Sequence, residues 1–428
     1  MKCAKSPCLA GRSSLSVVRC FVLPTLKHSI KTPIPEIRRG LVRLLGVIAT
    51  AFHGNGDAAL LGDLGVAANN ANYGDGDFFA NITHVQIHRR AKALRQVRFL
   101  LTPKKSLLCT STLVNFVLPL VTSVVVETTK QIESQVRSEA IATLGAIARL
   151  LPWSHYCALI FRFLQEARGV CVISALAFLG GLGGVGGDSR TTWLNVGVGQ
   201  AKRQASQENA ILRTVCVMID SFPVELYDGI SGSGRVRASN KIHDTIRRKL
   251  LPAMHRHMVG AQRTGRPLRI PVAVATMKLA LLLPLHQFRS YLPRLLADVA
   301  NALRSRRQDV RDRAKKGYAL ICATLGPQYL KHAIQQLRLA LREGYQVHVL
   351  GHAVHAVLVA LTPAFSSAGL PLLASHRTVA KGGSLGEGST PRDWFDEALS
   401  DIMPVILDDI FGAASLQKDS LQQGQKYD

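Results

Sequence analysis

The chain is short of acid. Its 428 residues hold 28 Asp and Glu against 53 Lys and Arg, a formal net charge of +25. Such a surplus bears on partners rather than on fold, and it favours an anionic partner over a basic or neutral one. Aromatic residues make up only 6% of the chain, while Leu, Ala and Val dominate a 47% hydrophobic composition. That balance suits stacked helices better than a sandwich or barrel, and it is ample for a continuous core. The eight cysteines stand at 3, 8, 20, 109, 157, 171, 216 and 322, with no CxxC pair. This excludes a Cys-based metal centre or a disulfide framework and leaves small buried hydrophobes in a reducing compartment. There is no P-loop or HExxH, and no carboxylate pair stands out, Asp408-Asp409 being expected as a solvated helix end rather than a cation site. The sequence therefore makes no case for an enzyme and calls for no cofactor and no small-molecule substrate.

Targeting signals are equally sparse. The stretch 13–26 is interrupted by Arg19 and has no cleavage pattern, so it does not read as a secretory signal. The first acidic residue is Glu36, which a basic transit peptide would also show; the simpler expectation is a chain that starts inside a longer solenoid. Residues 106–126 form an uncharged run long enough to span a bilayer. Asn115 and Pro119 sit in its middle, so a buried pair of short helices is expected, one ending near Phe116 and one beginning at Pro119, with no membrane partner.

What is present is helical periodicity. In 288–363 four amphipathic stripes follow one another. Leu292, Leu295, Leu296, Val299 and Leu303 form the first, and Val310, Ala314, Ile321 and Leu325 the second. Leu330, Ile334, Leu337 and Leu341 form the third, then Val347, Leu350, Val354, Leu358 and Leu361 the fourth. Gly326-Pro327, Gly344 and Thr362-Pro363 are the expected stops. The stripes recur in pairs at a step of 37 residues, Leu292 to Tyr329 and Val310 to Val347. A fixed period of two antiparallel helices is the signature of an all-α fold, an α-solenoid of HEAT-like helical repeats. A second-helix pattern of β-branched residue, Arg and then small residues appears at Ile37-Arg38, Val136-Arg137 and Val310-Arg311.

This divides the chain into HEAT-like helices over 1–53, a loop over 54–76 and further HEAT-like helices over 77–180. A Gly-rich connection with one helix follows over 181–240, then a solenoid over 241–365, a loop over 366–392, and a terminal helix and tail over 393–428. Residues 54–76, 181–200 and 366–392 lack apolar periodicity and are the expected mobile stretches. Gly181-Leu182-Gly183-Gly184-Val185-Gly186 matches GxGxxG, but a dinucleotide site needs a strand before it and a helix opening at it, and GDSRTTWLNVGVGQ is expected to open none. Residues 382–386 imitate a nucleophile elbow by chance. His348, His352 and His355 have ligand spacing on one helix face, but histidines packed between repeats are the plainer expectation and no metal is called for.

The basic residues cluster. Residues 241–345 carry 21 Lys and Arg against five Asp and Glu. Arg304, Arg306 and Arg307 fall at a turn between helices, and Arg311, Arg313, Lys315 and Lys316 follow. A second cluster holds His88, Arg89, Arg90, Lys92, Arg95 and Arg98, and a third Arg247, Arg248 and Lys249. Solenoid turns project along one edge, where such residues track a phosphate backbone. Arg304, Arg306, Arg307, Lys315, Lys316, Arg89 and Arg90 are the candidate RNA-binding residues. Arg311 reads instead as a structural residue, pairing with Asp309, Asp312 or a neighbouring repeat.

The phrases GYQVHVLGHAVHAVLVALTPAF (344–365), LRSRRQDVRDRAKKGYALICATLGPQYL (303–330) and LSDIMPVILDDIFG (399–412) resemble one family, and DFFANITHVQIHRRAKAL (77–94) does so more loosely. It is the component-twenty family of the small-subunit processome, also called the DRIM family, which are very large HEAT-repeat proteins of the nucleolus. The resemblance covers 268–365 and 399–412, and more weakly about 35–165. It implies an internal or C-terminal-region piece of such a protein, located in the nucleolus, and a non-enzymatic scaffold in ribosome biogenesis. The implied partners are pre-rRNA, in pre-18S rRNA processing, and the U3 snoRNP and small-subunit processome proteins. It carries over no catalytic residue. The rival reading is a HEAT-repeat nuclear transport receptor or other protein-interaction scaffold; transport receptors are usually acidic, and +25 speaks against one.

Overall fold

In the computed structural model the 37-residue step becomes two rows of helices. The structure describes residues 16–30, 34–51, 78–101, 108, 110–126, 134–180, 190–223, 240–263, 268–342, 346–366 and 394–407, all of them helical or in short turns between helices. The chain divides into two units, Met1–Ser239 and Asn240–Asp428.

In the second unit α9 (Leu251–Arg263), α10 (Ile270–Leu281), α11 (Leu285–Asn301), α12 (Gln308–Leu325), α13 (Leu330–Ala340) and α14 (Val347–Ser366) follow in order. Helices α10, α12 and α14 pack side by side in one row, α11 and α13 in the other. This is the all-α solenoid that the period requires. The expected stripes are the core: Leu292, Leu295, Leu296, Val299, Ile321, Ile334, Leu337 and Leu361 are all 2% exposed or less. The turn before α13 needs its glycine. Gly326 sits at φ 88° and donates its N–H to the Cys322 carbonyl at 2.9 Å, a conformation that an L side chain resists. A buried Tyr318 hydroxyl then ties α12 to the Ala333 carbonyl of α13 at 2.8 Å, and burial pushes its pKa well above the usual tyrosine value. A last helix, 394–407, buries Ala398, Ile402 and Val405. It is held to α13 by Lys331–Glu397 at 3.1 Å and Arg338–Asp401 at 3.0 Å.

The first unit holds α1 (Leu23–Ser29), α2 (Pro35–Ala51), α3 (Phe78–Ile82), α4 (Ile87–Leu100), α5 (Leu118–Val126), α6 (Ser134–Leu150), α7 (Trp153–Gly180) and α8 (Arg190–Asp220). Helix α6 packs against α4, α5 and α8, and α7 lies along α8. Small residues set the spacing: a Cβ on Gly145 would lie 2.8 Å from Val217 Cγ1, whereas one on Gly317 in α12 would lie 3.2 Å from Ile270 Cγ1. A buried tyrosine recurs here, Tyr156 donating to the Met218 carbonyl of α8 at 3.1 Å.

Several expectations change. The run 106–126 does not hold two short helices. Residues 110–126 form one helix in which Leu113–Val117 is a π turn, with Leu118 N–H bonded to the Leu113 carbonyl. Pro119 offers no N–H and its ring crowds the preceding turn, and a widened turn accommodates both. The same device precedes two other Leu-Pro steps: π turns Val18–Val22 and Ile246–Leu250 lead into Leu23-Pro24 and Leu251-Pro252. Among the described residues no helix is long and apolar enough to cross a membrane.

Helix α8 begins at Arg190, inside the stretch expected to open no helix. Adding residues to a formed helix costs little, so 201–220 propagates across Gly197 and Gly199 at about 1 kcal/mol each. What precedes the GxGxxG match is α7, a helix where a strand is required. Helix α14 runs through Pro363 to Ser366 rather than stopping there; Pro363 has no N–H to give the Val359 carbonyl, and Val359 is 56% exposed, so the missing bond falls on the solvent side of the helix. Cys157, Cys216 and Cys322 are buried as expected, whereas Cys20 is exposed. The stretches 54–76, 181–189 and 367–392, with the glycine motifs 181–186 and 382–386, lie outside the described residues.

Candidate nucleic-acid interface

The α11–α12 connection is built from its carbonyls outward. After Asn301 the chain makes a 3₁₀ turn, Ala302–Arg304, then turns extended at Ser305 and Arg307 before α12. Carbonyls in such a corner lose their helical partners. Arg311, one turn into α12, reaches back and donates Nη1 to the Ser305 oxygen at 3.0 Å and the Arg306 oxygen at 2.7 Å. Its partners are thus the corner's carbonyls, not Asp309 or Asp312; the structural role stands with different chemistry.

The carboxylates serve other cations. Arg307 donates through Nε and Nη2 to the two Asp309 oxygens at 3.1 and 2.9 Å. That fork holds the Asp309 carboxyl below its usual range, its hydrogen bond from Arg307 being the largest cause. Lys315 lies 3.4 Å from Asp312. Arg304, Arg306, Arg313 and Lys316 are exposed, and no carboxylate among the described residues pairs with Arg306, Arg313 or Lys316. Arg247 and Arg248 share Asp244 at 3.6 and 3.4 Å. The densest basic segment of the chain therefore spends part of its charge on itself.

In the first unit the roles fall differently. Arg95 and Arg98 of α4 both reach Glu139 of α6, at 3.1 and 2.9 Å, and so fasten two helices. Arg89 is exposed and Arg90 half-buried. The corner before α4 places His84 with its Nδ1 accepting the Gln86 N–H at 3.0 Å. The His84 pKa is held below its ordinary value, first by partial loss of hydration and then by the charges of Arg89, His88, Arg43 and Arg39. Arg39 and Arg43 belong to α2, so the fold gathers five cationic or titratable groups from two distant segments. That Arg39 and Arg43 join His88 and Arg89 went unrecognised because the sequence separates the two pairs by more than 40 residues. The spacing of four between Arg39 and Arg43 on one helix was the signal available.

His348, His352 and His355 are all exposed on α14 rather than packed between repeats. Among the described residues no three His, Cys, Asp or Glu side chains converge as metal ligands would.

Residues 261–428 match the family model described as the U3 small nucleolar RNA-associated protein 20 domain. Two curated relatives, both bearing the name U3 small nucleolar RNA-associated protein 20, are 22% identical to the chain. The fission-yeast protein (Schizosaccharomyces pombe) aligns over 412 residues and the budding-yeast protein (Saccharomyces cerevisiae) over 408, covering 94% and 95% of this chain. The chain spans 14% of the length of either relative. These matches bear out the resemblance carried by 268–365 and 399–412. Among solved structures, Kap121p covers 91% of this chain and 46% of its own at 14% identity and a TM-score of 0.21, a likeness too slight to carry an inference.

Proposed function

From a chain whose residues 261–428 carry the U3 small nucleolar RNA-associated protein 20 domain, we propose a scaffold segment acting in ribosome biogenesis. It works in the nucleolus by holding pre-rRNA of the small-subunit precursor together with assembly proteins and the U3 particle. The domain match is the observation that carries this reading. The physical arrangement agrees with it. The exposed cations at the α11–α12 corner lie where the solenoid's turns project, and an anionic backbone can follow such an edge without base-specific contacts. A duplex or folded RNA read by shape and phosphate suits a surface with few aromatics.

The test is the salt dependence of RNA binding by the whole chain. Replacing Arg304, Arg306, Arg313 and Lys316 by Ala should weaken binding to unrelated RNA sequences alike. It should also flatten the log–log salt slope by roughly 0.7–0.9 for every phosphate no longer neutralised. Arg311 is left in place because it holds the corner, and Arg307 and Lys315 because acids already occupy them. An unchanged slope in a variant that melts like the parent would move the partner of this edge from RNA to protein.

A further inference from the structure

A second basic feature lies in the first unit, and neither the domain match nor the solenoid edge accounts for it. A cleft of about 220 Å³ opens between α1, with its preceding π turn, and the π turn that leads into α5. Its lining comprises Arg19, Leu23, Pro24, Lys27 and His28 from one side and Asn115 and Phe116 from the other. Each wall includes a π turn, since Arg19 belongs to Val18–Val22 and Asn115 to Leu113–Val117, while Lys27 and His28 stand on α1 itself. A turn that holds an extra residue bulges from the helix surface, and such bulges recur at binding sites.

The electrostatics of this cleft are one-sided. No Asp or Glu occurs among residues 1–35, nor between 110 and 126. On α2, which packs against α1, the only carboxylate is Glu36, accompanied by Arg38, Arg39 and Arg43. Glu139 on α6, behind α5, is engaged by Arg95 and Arg98. Among the described residues no ion pair holds Arg19, Lys27 or His28. Like charges gathered in a concavity with low-dielectric walls focus a positive potential. Asn115 Nδ2 gives one hydrogen bond to Ser111 Oγ at 3.1 Å, and an amide nitrogen carries two protons, so one remains to donate. Guanidinium, ammonium and amide donors converging without a counter-carboxylate form a seat for a phosphate oxyanion. Phe116, the one Phe, Tyr or Trp lining the cleft, is 2% exposed and offers no face on which a base can stack, and the charged donors read the phosphate backbone.

We propose that this cleft binds a backbone phosphate of RNA, a contact separate from the α11–α12 edge in the other unit. The proposal rests on the RNA-scaffold reading above. The test measures fluorescence anisotropy of a labelled twelve-nucleotide oligouridine with the whole chain, across a salt series. Three variants are compared with the parent: Arg19→Ala with Lys27→Ala, Asn115→Asp, and Arg306→Ala with Lys316→Ala as the edge control. The changed side chains of the cleft are exposed or half-buried, and matched thermal melts establish that the fold is kept. Both cleft variants should weaken binding about tenfold, the size expected for losing charge-assisted hydrogen bonds. The salt slope should fall by about 0.7 for each phosphate released. Millimolar pyrophosphate should compete in the parent and not in the cleft variants. Parent-like affinity in both cleft variants, with the edge control weakened, overturns the cleft and leaves the scaffold reading intact. Parent binding to phosphatidylserine vesicles, lost in the cleft variants while oligouridine binding persists, overturns the RNA assignment in favour of a lipid headgroup. Failure of the parent to bind oligouridine overturns the cleft contact alone, since the edge reading concerns duplex or folded RNA and has its own salt-series test.

Discussion

The two units use the same helix pairing but distribute charge in opposite ways. In Asn240–Asp428 basic residues are densest along the chain, and they are partly neutralised where they stand: Arg307 by Asp309, Lys315 by Asp312, Arg247 and Arg248 by Asp244. In Met1–Ser239 they are thinner along the chain, yet folding brings the charges of Arg39, Arg43, His88 and Arg89 to bear on His84. It also brings Arg19, Lys27 and His28 to one cleft. Linear charge density and available charge are thus different quantities. The first counts residues; the second depends on which carboxylates the fold delivers.

The mechanical side of the comparison is sharpest at the two buried tyrosines. Tyr156→Ala and Tyr318→Ala should each cost about 3–5 kcal/mol, the usual penalty for emptying an aromatic site in a core. The Phe replacements should each cost about 1 kcal/mol for the hydroxyl bond. Urea unfolding checks both. A much smaller loss at Tyr156 would mean that the first unit is packed less tightly than the regular repeats.

Glycine separates the units next. Gly145→Ala forces a contact with Val217 at 2.8 Å and should destabilise by about 1–3 kcal/mol. At Gly317→Ala the 3.2 Å approach to Ile270 is relieved by a small shift, while helix propensity returns about 1 kcal/mol. Its melting temperature should stay close to the parent's or rise.

Within the α11–α12 corner, Arg311→Ala should cost about 1–2 kcal/mol by freeing two carbonyls. The exposed Arg307→Ala should cost less than about 1 kcal/mol. Equal losses in thermal melts would contradict the assignment of Arg311 as the residue that shapes the corner.

The smallest effect is a titration. The pKa of His84 is lowered in the folded chain, so the unfolded chain takes up this proton first. The contribution of His84 to stability is therefore complete well above pH 6.5 and is lost as pH falls through 6.5 towards the folded value. In an NMR titration its midpoint should lie below the ordinary histidine value, and Arg39→Ala with Arg43→Ala should raise it.

The regular half was legible for a plain reason. Apolar spacing, Gly326-Pro327 and the 37-residue step are local signals repeated in phase, so Leu292 to Leu361 could be assigned to a core from the residue letters. What escaped was non-local or came from tertiary context. Arg39 and Arg43 join the His84 cluster through packing between α2 and α3, which no window of sequence contains. The helix at Arg190 is carried across its glycines by the residues that follow. Arg311 has the expected task with different partners, because carbonyls at a corner leave no trace in the residue letters. The Leu-Pro steps are visible, yet Pro119 reads as the start of a helix when the chain widens one turn and continues.

Those widened turns solve a problem of phase. Thr112, Phe116, Leu120 and Val124 are buried at strict intervals of four, as are Leu113, Val117, Val121 and Val125 beside them. Ile246, Leu250, Met254 and Met258 repeat the interval in the other unit. Four residues advance a regular helix by roughly 400°, so such a stripe would wander by about 40° at each step and about 120° over three. A turn with one extra residue takes most of that rotation back and keeps the stripe facing a single neighbour. A regular turn that kept every residue would swing Val121 and Val125 about 100° away from their partners, whereas removing Asn115 alone restores a regular turn and leaves them facing as before. In these helices the four-residue interval and the proline are one specification, written twice.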